Sequence, residues 1–148
     1  MIEVYTDGAC SKNGQKLACA GWGAIGVVRG EVKFEIFGRV QGKPTNQTAE
    51  LSAAINALNY CKNKGYESVK IITDSAYLCN CYKDKWWVKW KSNGWKNAKG
   101  NSVENKEMWE KLIPYFKDSQ VSFEKIKGHS NHTFNDRADE LARKGCKY

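Results

Sequence analysis

Long apolar runs are missing from this 148-residue chain: none approaches the roughly 20 residues that a membrane-spanning helix needs. A secretory leader is not expected either. Met1-Ile2-Glu3-Val4 opens without a basic region and an apolar core, so a cytoplasmic location is expected. No internal repeat, low-complexity tract or linker interrupts the chain, and a single domain over residues 1–148 is expected. The six cysteines, at 10, 19, 61, 79, 81 and 146, include no CxxC pair. With no export signal either, reduced thiols are expected rather than a disulfide framework, and a zinc site is not expected.

What is present is a strong local bias of charge. The formal net charge is +8, yet residues 1–50 are close to neutral, with six basic and five acidic residues. Residues 83–99 hold six lysines against one aspartate, and Trp86, Trp87, Trp90 and Trp95 lie between them. A lysine run alone is usually a solvated face. Interleaved tryptophans add surfaces on which bases or sugars stack, so this segment points to a phosphate-backbone partner, with one or two of the rings in the core.

The first forty residues read as three strands. Ile2 to Thr6 alternates apolar and polar and meets a turn signal at Asp7-Gly8; Gly21–Val28 and Val32–Val40 are joined by Arg29-Gly30-Glu31 as a hairpin. The period then changes. Leu51, Ala54, Ile55, Leu58 and Cys61 fall at helical spacing, predicting a helix over 47–64 that stops at Gly65. Val69–Thr73 is a β-branched strand ending at Asp74, and a strand, helix and strand in succession imply a parallel crossover. Beyond it the pattern is helical but broken. Ser75–Tyr82 precedes the Lys/Trp segment, and a stripe of Trp109, Leu112, Ile113 and Phe116 should end or kink at Pro114. Val121–Ile126 alternates as a strand, and Asp136–Lys144 is a last helix with Gly145 as its stop. The order is βββαβααβα.

Two of these strands end in an aspartate. If they are parallel neighbours, Asp7 and Asp74 share one sheet edge, while Glu50 starts the long helix and Asp136 or Asp139 on the last helix can face the same point. Each carboxylate alone reads as a surface or capping group. Several together repel one another unless a cation lies between them. Oxygen ligands suit Mg²⁺, with Mn²⁺ as a substitute, and two such ions serve phosphodiester hydrolysis.

Four segments carry a resemblance. Tyr5-Thr6-Asp7-Gly8-Ala9-Cys10, Thr45-Asn46-Gln47-Thr48-Ala49-Glu50-Leu51, Thr73-Asp74-Ser75, and Gly128-His129-Ser130-Asn131-His132 followed by Asn135-Asp136-Arg137-Ala138-Asp139-Glu140-Leu141-Ala142 resemble, in order, the signature segments of type 1 ribonuclease H. The resemblance runs over essentially the whole chain. It implies the α/β ribonuclease H fold: a five-stranded mixed sheet, three antiparallel strands then parallel ones, with helices on both faces. It implies endonucleolytic cleavage of the RNA strand of RNA–DNA hybrids by two metal ions, leaving 3′-hydroxyl and 5′-phosphate ends. Asp7, Glu50, Asp74 and Asp139 match the metal positions, which leaves Asp136 to favour the helix N-terminus.

His129 resembles the family's loop histidine, which assists proton transfer or product release; His132 has no motif position. Cys10, Asn13, Asn46 and Gln47 resemble RNA-strand contacts, and Asn46 is also a candidate cap for the long helix. The Lys/Trp segment resembles the basic protrusion of the stand-alone cellular enzymes. On the DNA strand this assigns Lys85, Trp86, Lys89, Trp90, Lys91 and Trp95, with Lys43, Thr45 and Asn105 as a phosphate pocket and Trp109 in the core. The loop after Asn13 departs from the family's pattern in having no proline. A monomer is the default. A catalytically silent hybrid-binding module would lose carboxylates, and a DNA-cutting relative would not need Asn46 and Gln47 beside Glu50.

Overall fold

The computed structural model describes residues 1–11, 18–126 and 133–147. Asn13, His129 and His132 lie outside them. Strands β1 (Ile2–Ser11), β2 (Cys19–Val28) and β3 (Glu31–Arg39) form an antiparallel meander. Helix α1 (Asn46–Lys64) crosses to β4 (Val69–Thr73), which runs parallel to β1. Helices α2 (Ala76–Asp84), α3 (Trp86–Asn93) and α4 (Lys106–Phe116) follow, then β5 (Val121–Lys125), parallel to β4, and α5 (Thr133–Cys146). The sheet order is β3-β2-β1-β4-β5. No helix among the described residues is long and apolar enough to cross a membrane.

The expected mixed sheet with helices on both faces is therefore present, with one helix more than the order βββαβααβα. The break falls at Lys85, whose left-handed backbone (φ 52°) ends α2 and starts α3. Strand β1 also passes beyond the turn expected at Asp7-Gly8. Its pairing with β2 continues through Asp7↔Gly23 to Ser11↔Cys19, and this long-range ladder overrides the local signal. The hairpin turn is Arg29-Gly30, both at positive φ, as two-residue hairpins require. Gly65 does close α1, in a left-handed conformation (φ 84°).

Pro114 lies inside α4, which runs on to Phe116. Proline near a helix end removes a single intrahelical bond, so the last turn survives. On one sheet face, Ile2 and Val4 pack with Leu51, Leu58, Ile71, Leu78, Leu112 and the fully buried Trp109; Trp87 joins this core.

Helix α5 covers the other face. Tyr5, Ile25, Val27 and Ile72 pack against Ala138, and Arg137 makes a bidentate ion pair with Glu35 of β3 (2.8 and 3.0 Å). The helix lies so close to β2 that a Cβ on Gly21 would fall onto the backbone of Ala142 and Cys146. Gly145 is not the stop expected of it but part of α5, where it passes the backbone of Gly38. Cys19 and Cys146, expected as reduced thiols, are joined by a disulfide, Cα–Cα 5.5 Å. Packing of α5 along β2 brings together two cysteines that are 127 residues apart in sequence.

Candidate active site

Tyr5 of β1 pairs with Ile72 of β4, so the parallel register carries Asp7 level with Asp74, just beyond the end of β4. Glu50 reaches the same point from the first turns of α1. Thr45 caps that helix: its hydroxyl accepts from the Thr48 N–H (3.0 Å), and Thr48 Oγ1 accepts from the Thr45 N–H (2.9 Å). Asn46, the candidate cap, is thus the first helical residue, and it and Gln47 stay exposed. Gly8 lets α1 begin this close to β1, because a Cβ there would lie 2.6 Å from the Ala49 carbonyl carbon and 2.7 Å from the Glu50 nitrogen. The Gly8 N–H donates to both Asp7 Oδ1 and Glu50 Oε1, each at 2.9 Å. Thr73 Oγ1 lies 3.4 Å from Glu50 Oε2 as a second donor.

Asp7, Glu50 and Asp74 bring carboxylate oxygens within 4.8 Å of one another. Together with Gly8, Asn135, Asp136 and Asp139 they line a cleft of about 240 Å³. Burial, and then the Asp74 charge, push the Asp7 carboxyl up to about 7; a hydrogen bond from Glu50 and the Gly8 N–H oppose that rise. Burial, followed by the Asp7 charge, holds Glu50 well above the usual carboxylate range. Protons here offset a charge repulsion that a cation would otherwise relieve. Asp139 stands farther out, its side chain 42% exposed and paired with Arg143 at 2.9 Å. Asp136 sits in the first turn of α5, as expected, and lines the cleft as well.

Beside the start of α1 runs a larger cleft of about 710 Å³, lined by Gln47, Tyr77, Trp86, Lys89, Trp90 and Lys96 among others. Trp86 and Trp90 lie 6.0 Å apart by ring centroids, and both pack on the buried Trp109. Trp95 stacks on Trp90 but opens with Lys91 into a separate hollow of about 420 Å³, bounded by Glu110, Ile113, Pro114 and Lys117. There its closeness to Lys117 holds Lys91 below its ordinary value. Lys85 is exposed at the α2–α3 junction. Lys43 and Thr45 precede α1, and Asn105 precedes α4 with its Nδ2 3.4 Å from Tyr77 Oη. Cys10 Sγ donates weakly to Pro44 O (3.6 Å).

Sequence reasoning missed Gly8, Thr73, Tyr77 and Arg143. Gly8 and Thr73 lie within motif segments, but nothing local marks a glycine N–H or a threonine hydroxyl as a carboxylate partner.

An all-oxygen carboxylate cluster at the edge of a mixed sheet, beside a basic aromatic cleft, defines an α/β protein with a candidate divalent-metal site. The family profile for RNase H matches residues 1–147. The ribonuclease H of Syntrophomonas wolfei is 43% identical over 146 residues, covering 99% of this chain and 96% of that protein. Among solved structures, the RNase H domain of PFV is 28% identical with a TM-score of 0.78, and covers 99% and 94% of the two chains. LC9-RNase H1, described as a type 1 RNase H with the type 2 active-site motif, is 25% identical with a TM-score of 0.78, covering 99% and 72%. The chain belongs to the RNase H family.

Proposed function

We propose that this protein is an endonuclease that hydrolyses the RNA strand of RNA–DNA hybrids, leaving 3′-hydroxyl and 5′-phosphate ends, with two Mg²⁺ ions held by Asp7, Glu50, Asp74 and Asp139. The observation that carries this reading is the carboxylate trio, with oxygens within 4.8 Å, in a cleft next to one lined by Gln47, Trp86, Lys89 and Trp90. The donor set fits the ion: hard oxygen ligands, no thiolate or imidazole in the cluster among the described residues, and a repulsion that positive charge relieves. When bound, two such ions favour attack by water and stabilise the leaving oxygen.

The chain's own residues supply the rest. The Gly8 N–H and the Thr73 hydroxyl orient Glu50, and Arg143 holds Asp139. Cys10, Asn13, Asn46 and Gln47 are assigned to the RNA strand, where amides both donate to and accept from the 2′-hydroxyl that DNA lacks. Trp86, Lys89 and Trp90 are assigned to the DNA strand inside the cleft, with Lys85, Lys91 and Trp95 on the outside of the protrusion. Lys43, Thr45 and Asn105 are assigned to a DNA phosphate, and His129 to proton transfer or product release.

The deciding experiment incubates the protein and Mg²⁺ with matched RNA–DNA, RNA–RNA, DNA–DNA and single-stranded substrates. Cleavage confined to the RNA of the hybrid is the expected result. Cutting of DNA duplexes would replace this reading with that of a DNA nuclease, and binding without cutting would make it a hybrid-binding module.

Two further outcomes are expected. Replacing Lys85, Lys89 and Lys91 by alanine should reduce the log–log salt slope of hybrid binding by about 2 to 3, since each phosphate contact contributes about 0.9. An unchanged slope would take these lysines off the backbone. The second concerns pH. Asp7's folded value of about 7 lies above its ordinary 3.8, so the stability that its proton contributes is complete below about 4 and is lost as pH rises through 7. Cation binding displaces that proton and so strengthens over the same range. The rise in thermal midpoint caused by Mg²⁺ should therefore be larger at pH 8 than at pH 6; an equal rise at both would show that Asp7 is already ionised.

A further inference from the structure

Asn135 is the third residue of α5, only 4% exposed, and it lines the cleft with Asp7, Glu50, Asp74 and Asp139. Its amide oxygen, Oδ1, is buried and has no hydrogen-bond partner among the described residues. One other buried side-chain atom among the described residues shares that condition, Thr6 Oγ1, and strand alternation turns Thr6 to the sheet face opposite Asp7. Asn135 is therefore the case that faces the carboxylates.

An unpaired buried carbonyl is destabilising, so its retention beside a cluster of functional carboxylates points to a partner that arrives from outside. Once a cation has displaced their protons, the carboxylates that line most of the cleft only accept. A donor carried in by a ligand would satisfy the amide oxygen. Mg²⁺ keeps several of its waters when bound by one or two carboxylates, and those waters are strong donors. An amide offers an oxygen to them without adding a further negative charge to a site that already strains to hold its own.

We propose that Asn135 is a positioning residue whose Oδ1 accepts a hydrogen bond from a water carried by the divalent cation at the carboxylate cluster. This rests on the reading that Asp7, Glu50 and Asp74 hold that cation. Outer partners of this kind contribute about 10–100-fold in metal affinity.

The test uses the full chain without nucleic acid, titrated with MgCl₂ and followed by calorimetry and by thermal midpoint. Asn135→Leu keeps the approximate volume and removes the oxygen; Asn135→Asp keeps an acceptor oxygen in place. Asn135→Leu is expected to bind Mg²⁺ at least about tenfold more weakly, with a cation-free midpoint equal to or above that of the parent, because the unpaired carbonyl is gone. Asn135→Asp at pH 8 is expected to stay within about threefold of the parent. Parent-like affinity in Asn135→Leu overturns the proposal, as does a lowered cation-free midpoint with affinity unchanged, which would make the amide purely structural. Should Asn135→Leu fail to fold, Asn135→Asp decides alone: affinity near that of the parent supports the role, and a tenfold loss overturns it. An absence of Mg²⁺ binding in the parent chain is a different failure, and it would remove the metal reading as well.

Discussion

Asp74→Asn should lower Mg²⁺-dependent cleavage of an RNA–DNA hybrid by about a thousandfold or more, while hybrid binding changes little. The substitution keeps the size of the side chain and removes one charge from a trio whose oxygens lie within 4.8 Å. A metal-held charge at a phosphoryl centre is worth several kcal/mol, and each 1.36 kcal/mol is a factor of ten in rate. The binding surface assigned to the DNA strand, around Trp86, Lys89 and Trp90, lies in a separate cleft and is left intact. The cation-free protein should not lose stability either, since the Asp74 charge penalises an ionised Asp7. Single-turnover cleavage and binding measured on the same hybrid check both parts. A variant that cuts at near the parent rate would remove Asp74 from the mechanism.

Gly21→Ala should cost about 3 kcal/mol of stability, a fall in midpoint of about 10 °C. The added Cβ meets the Ala142 carbonyl oxygen, the Cys146 nitrogen and, at 2.8 Å, the Gly145 carbonyl carbon. All three are backbone atoms and cannot rotate aside, so α5 must move off β2 and carry Asp139 with it. Cleavage should fall along with stability. Gly30→Ala is the control: its φ of 79° disfavours alanine by roughly 1–2 kcal/mol, but nothing lies within 4 Å of the new carbon. Equal losses at the two positions would mean that backbone conformation, not helix seating, sets the cost.

The helix α1 and the strand β4 were legible because their signals are local: a five-residue apolar stripe closed by Gly65, and a β-branched run ending at Asp74. Asp7 was legible as a candidate for the wrong local reason, since β1 does not stop there but leaves β4 behind while staying paired with β2. Spacing left Asp136 and Asp139 tied, and both do line the cleft; the resemblance, not the geometry of either strand, chose Asp139. The Lys/Trp segment announced its charge but not its orientation. Trp90 and Trp95 are five residues apart and stacked, yet they open into different hollows. The pairing of Cys19 with Cys146 had no local signal at all, because it depends on where α5 lands.

That bridge has a topological result. It turns residues 19–146 into a covalent ring that holds Glu50, Asp74 and Asp139, while Asp7 sits on the free tail outside it. On a chain-entropy count, closing a ring of this length withholds about 5 kcal/mol of freedom from the denatured ensemble. A single proteolytic nick inside the ring would leave one covalent molecule of unchanged mass apart from the added water, and only a reductant would release the pieces.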